Sequence, residues 1–213
     1  MNNLLMLLLT AGLLAGCATS KKQGSDEWIS LFDGKTLNGW RVSENPETFK
    51  VEDGAIVANG PRAHLFYDGV VANHDFKSFE FKAQVMTLPG SNAGIYFHTE
   101  YQDEGWPSKG YEVQVNNSHT DWRRTGGLYA VDDVREAPAK DNEWFTQHII
   151  VNGKNVRVMI DGKKVVDYTE PDNPERPEGM KGRLLSSGTI ALQGHDPGST
   201  VYFKDIMVRL LPD

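Results

Sequence analysis

Residues 94–116 read GIYFHTEYQDEGWPSKGYEVQVN, and the fold is decided there. In the first arm, Gly94 to Glu100, an extended chain sets Ile95, Phe97 and Thr99 on one side and Tyr96, His98 and Glu100 on the other. The second arm, Gly110 to Asn116, sets Tyr111, Val113 and Val115 against Glu112, Gln114 and Asn116. A period of two marks strands with unlike faces, because successive side chains leave a pleated chain on opposite sides. The same period recurs outward. Phe79, Phe81, Ala83 and Val85 alternate with Glu80, Lys82 and Gln84. Val156, Val158 and Ile160 alternate with Arg157 and Met159, and Asp161-Gly162 then turns the chain into Val165 to Tyr168 as a hairpin. Thr200 to Leu211 reads as a closing strand. Pairs such as Asp53-Gly54, Asn59-Gly60 and Asn152-Gly153 supply the positive φ that tight turns require. No segment carries an apolar stripe at helical spacing, so the expected class is all-β, a two-sheet antiparallel β-sandwich.

The chain has 213 residues, 39% hydrophobic and 24% charged, which is enough apolar matter for one packed domain. A single cysteine excludes a disulfide scaffold and any zinc site built on several thiolates. A formal charge of −7 argues against a nucleic-acid partner held through phosphates. Residues 1–16 are an uncharged, leucine-rich run, and Leu-Ala-Gly-Cys at 14–17 resembles the lipobox of bacterial lipoproteins, although no Lys or Arg precedes the run. The expectation is a signal peptide over 1–16, a lipidated Cys17 with a polar tether over 17–26, and a single domain over 27–213. That address is the bacterial cell envelope, with a lipid anchor in a membrane.

Two adjacent strands of this pattern would gather Tyr96, His98, Glu112 and Gln114 into one polar patch, since side chains at i and i+2 stand about 6.7 Å apart. An aromatic, an imidazole, a carboxamide and a carboxylate together serve sugar recognition and acid–base chemistry. A loop over Tyr101 to Pro107 carrying Trp106, and another over Asp121 to Tyr129 carrying Trp122 and Tyr129, offer aromatic faces for pyranose rings. Gln193 and His195 close a strand, with Asp196 next to the imidazole. Trp28, Trp40 and Trp144 read as core, and His64, His74 and His119 as loop residues. Residues 170–187 form one long polar, proline-rich loop. Neither a nucleophile elbow, a His-Glu-x-x-His zinc motif, a P-loop nor a dinucleotide fingerprint is present. Ordinary glycosidases need two flanking carboxyls; the strand Glu112-Val113-Gln114-Val115-Asn116 carries amides where a sandwich glucanase would carry further acids.

Four segments occur in a familiar order: WISLFDGKTLNGW (28–40), GYEVQV (110–115), TGGLY (125–129) and IALQGHDP (190–197). Together they resemble the 3-keto-disaccharide hydrolase family over about Glu27 to Pro212, with His98 where many members carry Arg. The resemblance implies a concanavalin A-like or laminin-G-like jelly roll, and cleavage of glycosides first oxidised at C3 by a sugar 3-dehydrogenase. A C3 ketone acidifies the C2 proton, so removal of that proton and β-elimination of the C1 substituent, followed by hydration, need no second carboxylate. On this reading Glu112 and His195 share the base and acid roles, in either order. Tyr96, His98, Gln114 and Gln193 contact the substrate, and Trp106, Trp122 and Tyr129 form a stacking rim. A divalent metal ion on His98, Glu112 and His195 is open, though no local spacing supports it. The rival expectation is a non-catalytic carbohydrate-binding lipoprotein on the same fold.

Overall fold

A computed structural model describes residues 26–212, and the proposed signal peptide and Cys17 lie outside them. In chain order the first strands are β1 (Ile29–Ser30), β2 (Trp40–Val42), β3 (Phe49–Glu52), β4 (Ala55–Ala58) and β5 (Ala63–Tyr67). Next come β6 (Phe79–Thr87), β7 (Ala93–Thr99), β8 (Tyr111–Val115), β9 (Arg124–Leu128) and β10 (Asp132–Val134). The last are β11 (Phe145–Asn152), β12 (Asn155–Ile160), β13 (Lys163–Thr169), β14 (Thr189–Gly194) and β15 (Val201–Leu210). One sheet runs β13-β12-β11-β6-β15-β4-β3, with β1 paired to β15; the other runs β10-β9-β8-β7-β14-β5-β2. The pairings are antiparallel, and the molecule is the all-β sandwich that the alternation predicts.

The core lies between the sheets. Strand β6 buries every second residue, Phe79 through Thr87, while Glu80, Lys82, Gln84 and Met86 are only half-buried. Phe81, Ile95, Phe97, Tyr111, Val158 and Phe203 are among the side chains sealed between the layers, and such apolar burial is the main source of stability. The seven-stranded sheet behaves differently. Strands β5, β7, β8 and β14 are buried at every position, on both faces. Their inner face meets the core. The loop joining β7 to β8 and the long segment between β13 and β14 lie over their outer face.

Three local readings change. Thr125 to Leu128, read within a loop, forms strand β9; its consecutive Gly126 and Gly127 hide the strand pattern, and Gly126 has a φ of 85°. His64 sits in β5 and is fully buried. Trp40 is core, its indole N–H donating to the Leu31 carbonyl at 2.8 Å, but Trp28 is only half-buried. Trp144 is 38% exposed, with the Lys204 ammonium 4.0 Å above its ring. A Trp that covers a cation at the surface needs no core position.

Candidate active site

Register assembles the site. Tyr96 lies opposite Glu112 and Gly94 opposite Gln114 across β7 and β8. On the other side of β7, Ala191 of β14 pairs with Tyr96, and Gln193 pairs with His64 of β5. Opposed residues share a face, so Tyr96, Glu112, Gln114 and Gln193 meet on the outer side of the sheet. A cavity of about 290 Å³ opens over this floor. Its walls are Trp106, Pro107 and Ser108 from the β7–β8 loop, Asp121 and Tyr129 from the chain around β9, Met180 and Arg183 from the β13–β14 segment, and His195.

The floor is a buried network. The carboxylate of Glu112, 4% exposed, accepts the Tyr96 hydroxyl (2.9 Å) and an Arg183 guanidinium N–H (3.0 Å) on Oε2. Its Oε1 accepts the Gln193 amide (3.0 Å). Burial, then the adjacent carboxylate, pushes the Tyr96 phenol far above its ordinary value, so it stays a donor. Gln114 spends its amide N–H on Asn92 Oδ1 at 3.1 Å. Three atoms of the cavity-lining side chains are buried without a partner: Gln114 Oε1, Gln193 Oε1 and Arg183 Nη1. Unpaired buried polar atoms cost about 1–3 kcal/mol each. Two acceptors and a donor without partners, on side chains that line one cavity, mark where a polar ligand would be recognised.

The walls are held from behind. Glu44 pairs with Arg62 through two bonds (2.8 and 3.0 Å) and accepts the Gly105 N–H at 2.9 Å, fixing the loop that carries Trp106. The Trp106 indole then rests against the His64 ring (5.6 Å) and the His195 ring (5.2 Å). Nδ1 of His195 faces Asp196 Oδ2 at 2.7 Å. Burial raises the Asp196 carboxyl, but hydrogen bonds from His195, Ser199 and the Gly198 N–H outweigh it and hold the group below its ordinary value. An ionised Asp196 accepts, so in the neutral ring Nδ1 carries the proton and Nε2 the lone pair.

Of the residues picked from sequence, Tyr96, Glu112, Gln114, Gln193, Trp106, Tyr129 and His195 converge on the cavity; two do not. His98 has a left-handed φ of 55°, and the β7–β14 register slips beside it. This bulge turns the imidazole away from the patch and against Phe79 and Phe97. There Nδ1 accepts the Ser186 N–H (3.1 Å) and Nε2 meets the Lys77 carbonyl (2.9 Å). Trp122 stays outside, 41% exposed, between the guanidinium groups of Arg123 (4.6 Å) and Arg135 (4.4 Å). With His98 gone, the set His98, Glu112 and His195 does not fit a metal ion. Among the described residues no group of three His, Cys, Asp or Glu side chains lies close enough to hold one. Sequence reasoning missed Asn92, which the period of two reaches by stepping back from Gly94. It also missed Arg183, in a loop with no periodicity. The available signal was indirect: a carboxylate on a buried face needs a countercharge.

The concave polar site lies on the outer face of a two-sheet antiparallel sandwich. The chain belongs to the family of 3-keto-α-glucoside-1,2-lyase-like domains, whose model matches residues 27–209. It is 25% identical to a 3-keto-disaccharide hydrolase of Bacteroides thetaiotaomicron, over 95% of this chain and 96% of that one. A crystal structure from Parabacteroides distasonis, provisionally named a glycosyl hydrolase, matches with a TM-score of 0.73 at 21% identity, covering 86% of this chain and 94% of that one. The carbohydrate-binding module CBM66 of Bacillus subtilis matches with a TM-score of 0.57 at 11% identity, covering 80% and 95%. The two structural likenesses carry the fold, which is the jelly roll of galectin-like and concanavalin A-like proteins.

Proposed function

We propose that this protein cleaves glycosides whose sugar carries a ketone at C3. The base removes the C2 proton, and its electron pair becomes the enolate of the ketone. The enolate then expels the oxygen at C1, which takes a proton from an acid at the cavity wall and leaves as an alcohol, and a C1–C2 double bond conjugated to the carbonyl remains. Water adds across that bond, hydroxyl to C1 and proton to C2, to give the free 3-keto sugar. Family membership and the name of the Bacteroides relative support the substrate class. A C3 ketone must come from oxidation of a C3 hydroxyl, so a sugar 3-dehydrogenase is the implied supplier.

The observation that carries the reading is the division of labour between two groups. Glu112 has spent three of its roughly four acceptor sites on Tyr96, Arg183 and Gln193, so it anchors the floor rather than taking a proton. His195, oriented by Asp196, holds an open lone pair at the wall and is the base. Burial keeps the Tyr129 phenol protonated, so it stands at that wall as a hydroxyl donor. The test measures aglycone release from a 3-keto glucoside and from its unoxidised counterpart. Release from the keto compound alone is expected, with a loss of about 10²-fold or more in kcat for His195→Ala. Equal turnover of both compounds, or an unaffected His195 variant, would refute the reading. Saturable binding without release would favour the binding-module alternative.

A further inference from the structure

We propose that Arg183 is a catalytic residue whose Nη1 binds the C3 oxygen as it becomes an enolate, and that Arg176 and Glu170 are the positioning residues that hold it there. The proposal rests on the 3-keto reading above and names a part of that reaction which the base and the floor do not supply.

Among the described residues, Arg183 is the one guanidinium or ammonium lining the cavity. Its two terminal nitrogens have different situations. Nη2 is bound to Glu112 at 3.0 Å, which fixes the plane of the group, while Nη1 is buried and has no partner. The guanidinium carbon lies 5.2 Å from the Tyr129 ring centroid and 5.9 Å from that of Tyr96, so two aromatic rings limit its swing. A guanidinium cannot lose its proton, and its donors are rigidly set. An N–H without a partner, on a cavity-lining guanidinium whose other terminal nitrogen holds a buried carboxylate, is suited to charge that develops during a reaction. Elimination from a 3-keto sugar develops that charge on the C3 oxygen.

The backbone that carries Arg183 is clamped. Arg176 donates Nε–H to the Arg183 carbonyl at 2.7 Å. Its Nη2 meets the hydroxyls of Tyr111 (2.7 Å) and Tyr168 (2.8 Å). Glu170 accepts the Leu185 N–H at 2.9 Å and the Tyr111 hydroxyl. On the other flank, the Gly110 N–H donates to the Gly182 carbonyl at 2.9 Å, and a Cβ on Gly182 would lie 2.0 Å from the Ser108 carbonyl oxygen. A polar segment without regular structure is thus tied on both sides of the one residue that reaches Glu112. Tyr111 stacks on Phe97 in the core, so the clamp is anchored in the core.

The experiment compares wild type, Arg183→Ala, Arg183→Lys, Arg176→Ala and the Arg176→Ala/Arg183→Ala double variant on a 3-keto disaccharide, each checked by circular dichroism. Arg183→Ala leaves Glu112 buried without a countercharge and risks misfolding. Arg183→Lys keeps a charge for Glu112 and removes the second N–H, so it isolates the catalytic donor. The expected result is a fall in kcat of about 10²–10³-fold for both Arg183 variants, with KM moved far less, and partial rescue of Arg183→Ala by added guanidinium. Arg176→Ala lowers kcat by itself and adds nothing in the Arg183→Ala background; independent, multiplicative losses would remove its positioning role. Folded Arg183 variants within threefold of an active wild type overturn the assignment while leaving the 3-keto reading intact. A wild type inert on the keto substrate overturns both.

Discussion

At the scale of single residues, burial sets the chemistry. Glu112 is tolerated in the sheet because three donors meet it; a buried charge stripped of its partners costs several kcal/mol. His64 shows the opposite solution. It is fully buried beneath Tyr96 and Trp106, neither ring nitrogen has a partner, and it is held neutral. Burial lowers its pKa from 6.5 to about 3, and burial likewise lowers that of His98 to about 4. Between pH 6.5 and those values the unfolded chain binds protons that the folded chain refuses, so stability falls as pH falls through that window. Each histidine contributes a slope of about 1.4 kcal/mol per pH unit. His64→Phe preserves the packing against Tyr96 and removes one titration. Urea unfolding at pH 7 and pH 5 is therefore expected to give a loss smaller by about 2 kcal/mol in the variant. An identical loss in both proteins would mean that His64 takes up its proton as readily in the folded state as in the unfolded one.

At the scale of elements, the period of two placed Tyr96, Glu112 and Gln114 correctly because register and pleat are properties of sequence spacing. It failed at His98, where one left-handed residue reverses the alternation and no neighbouring glycine announces it. It was silent over 170–187, because the clamp on Arg183 is built from contacts 7 to 71 residues apart, and spacing carries no signal for these. Alternation also said nothing about depth. A polar face on a strand reads as wet unless something covers it, and the covering loops here are irregular. Gly94 ties the strand pattern to the site. A Cβ at that position would stand 2.6 Å from Glu112 Oε1 and 2.9 Å from its Cγ, so only glycine lets the carboxylate lie across β7 toward Gln193. Gly94→Ala must push the carboxylate aside. The expected outcome is a loss of tenfold or more in kcat/KM on a 3-keto glycoside with about 1–3 kcal/mol of destabilisation. Unchanged kinetics in this variant would show that the position of Glu112 is not critical.

At the scale of the whole molecule, the two sheets divide stability from chemistry. The seven-stranded sheet carries the cavity and its unpaired floor atoms on its outer face. The eight-stranded sheet closes the core and contributes none of the residues lining that cavity. One polar residue on this second sheet has no part in the site. Gln147 of β11 lies between Ala83 of β6 and Ile160 of β12, alternates in phase with the core residues Phe145 and Ile149, and is completely buried. Neither its amide nitrogen nor its oxygen has a partner. Replacing an unsatisfied buried amide with an apolar side chain of similar shape removes its desolvation penalty and keeps the volume filled. Gln147→Met is therefore expected to raise the unfolding free energy by about 1–3 kcal/mol and to leave kcat and KM on a 3-keto glycoside unchanged. Denaturant unfolding beside steady-state kinetics reads both halves. A destabilised Gln147→Met would reveal that an internal water satisfies the amide. A stabilised variant with altered kinetics would mean that the core between the sheets transmits strain to the floor, and that the two faces of the seven-stranded sheet do not act independently.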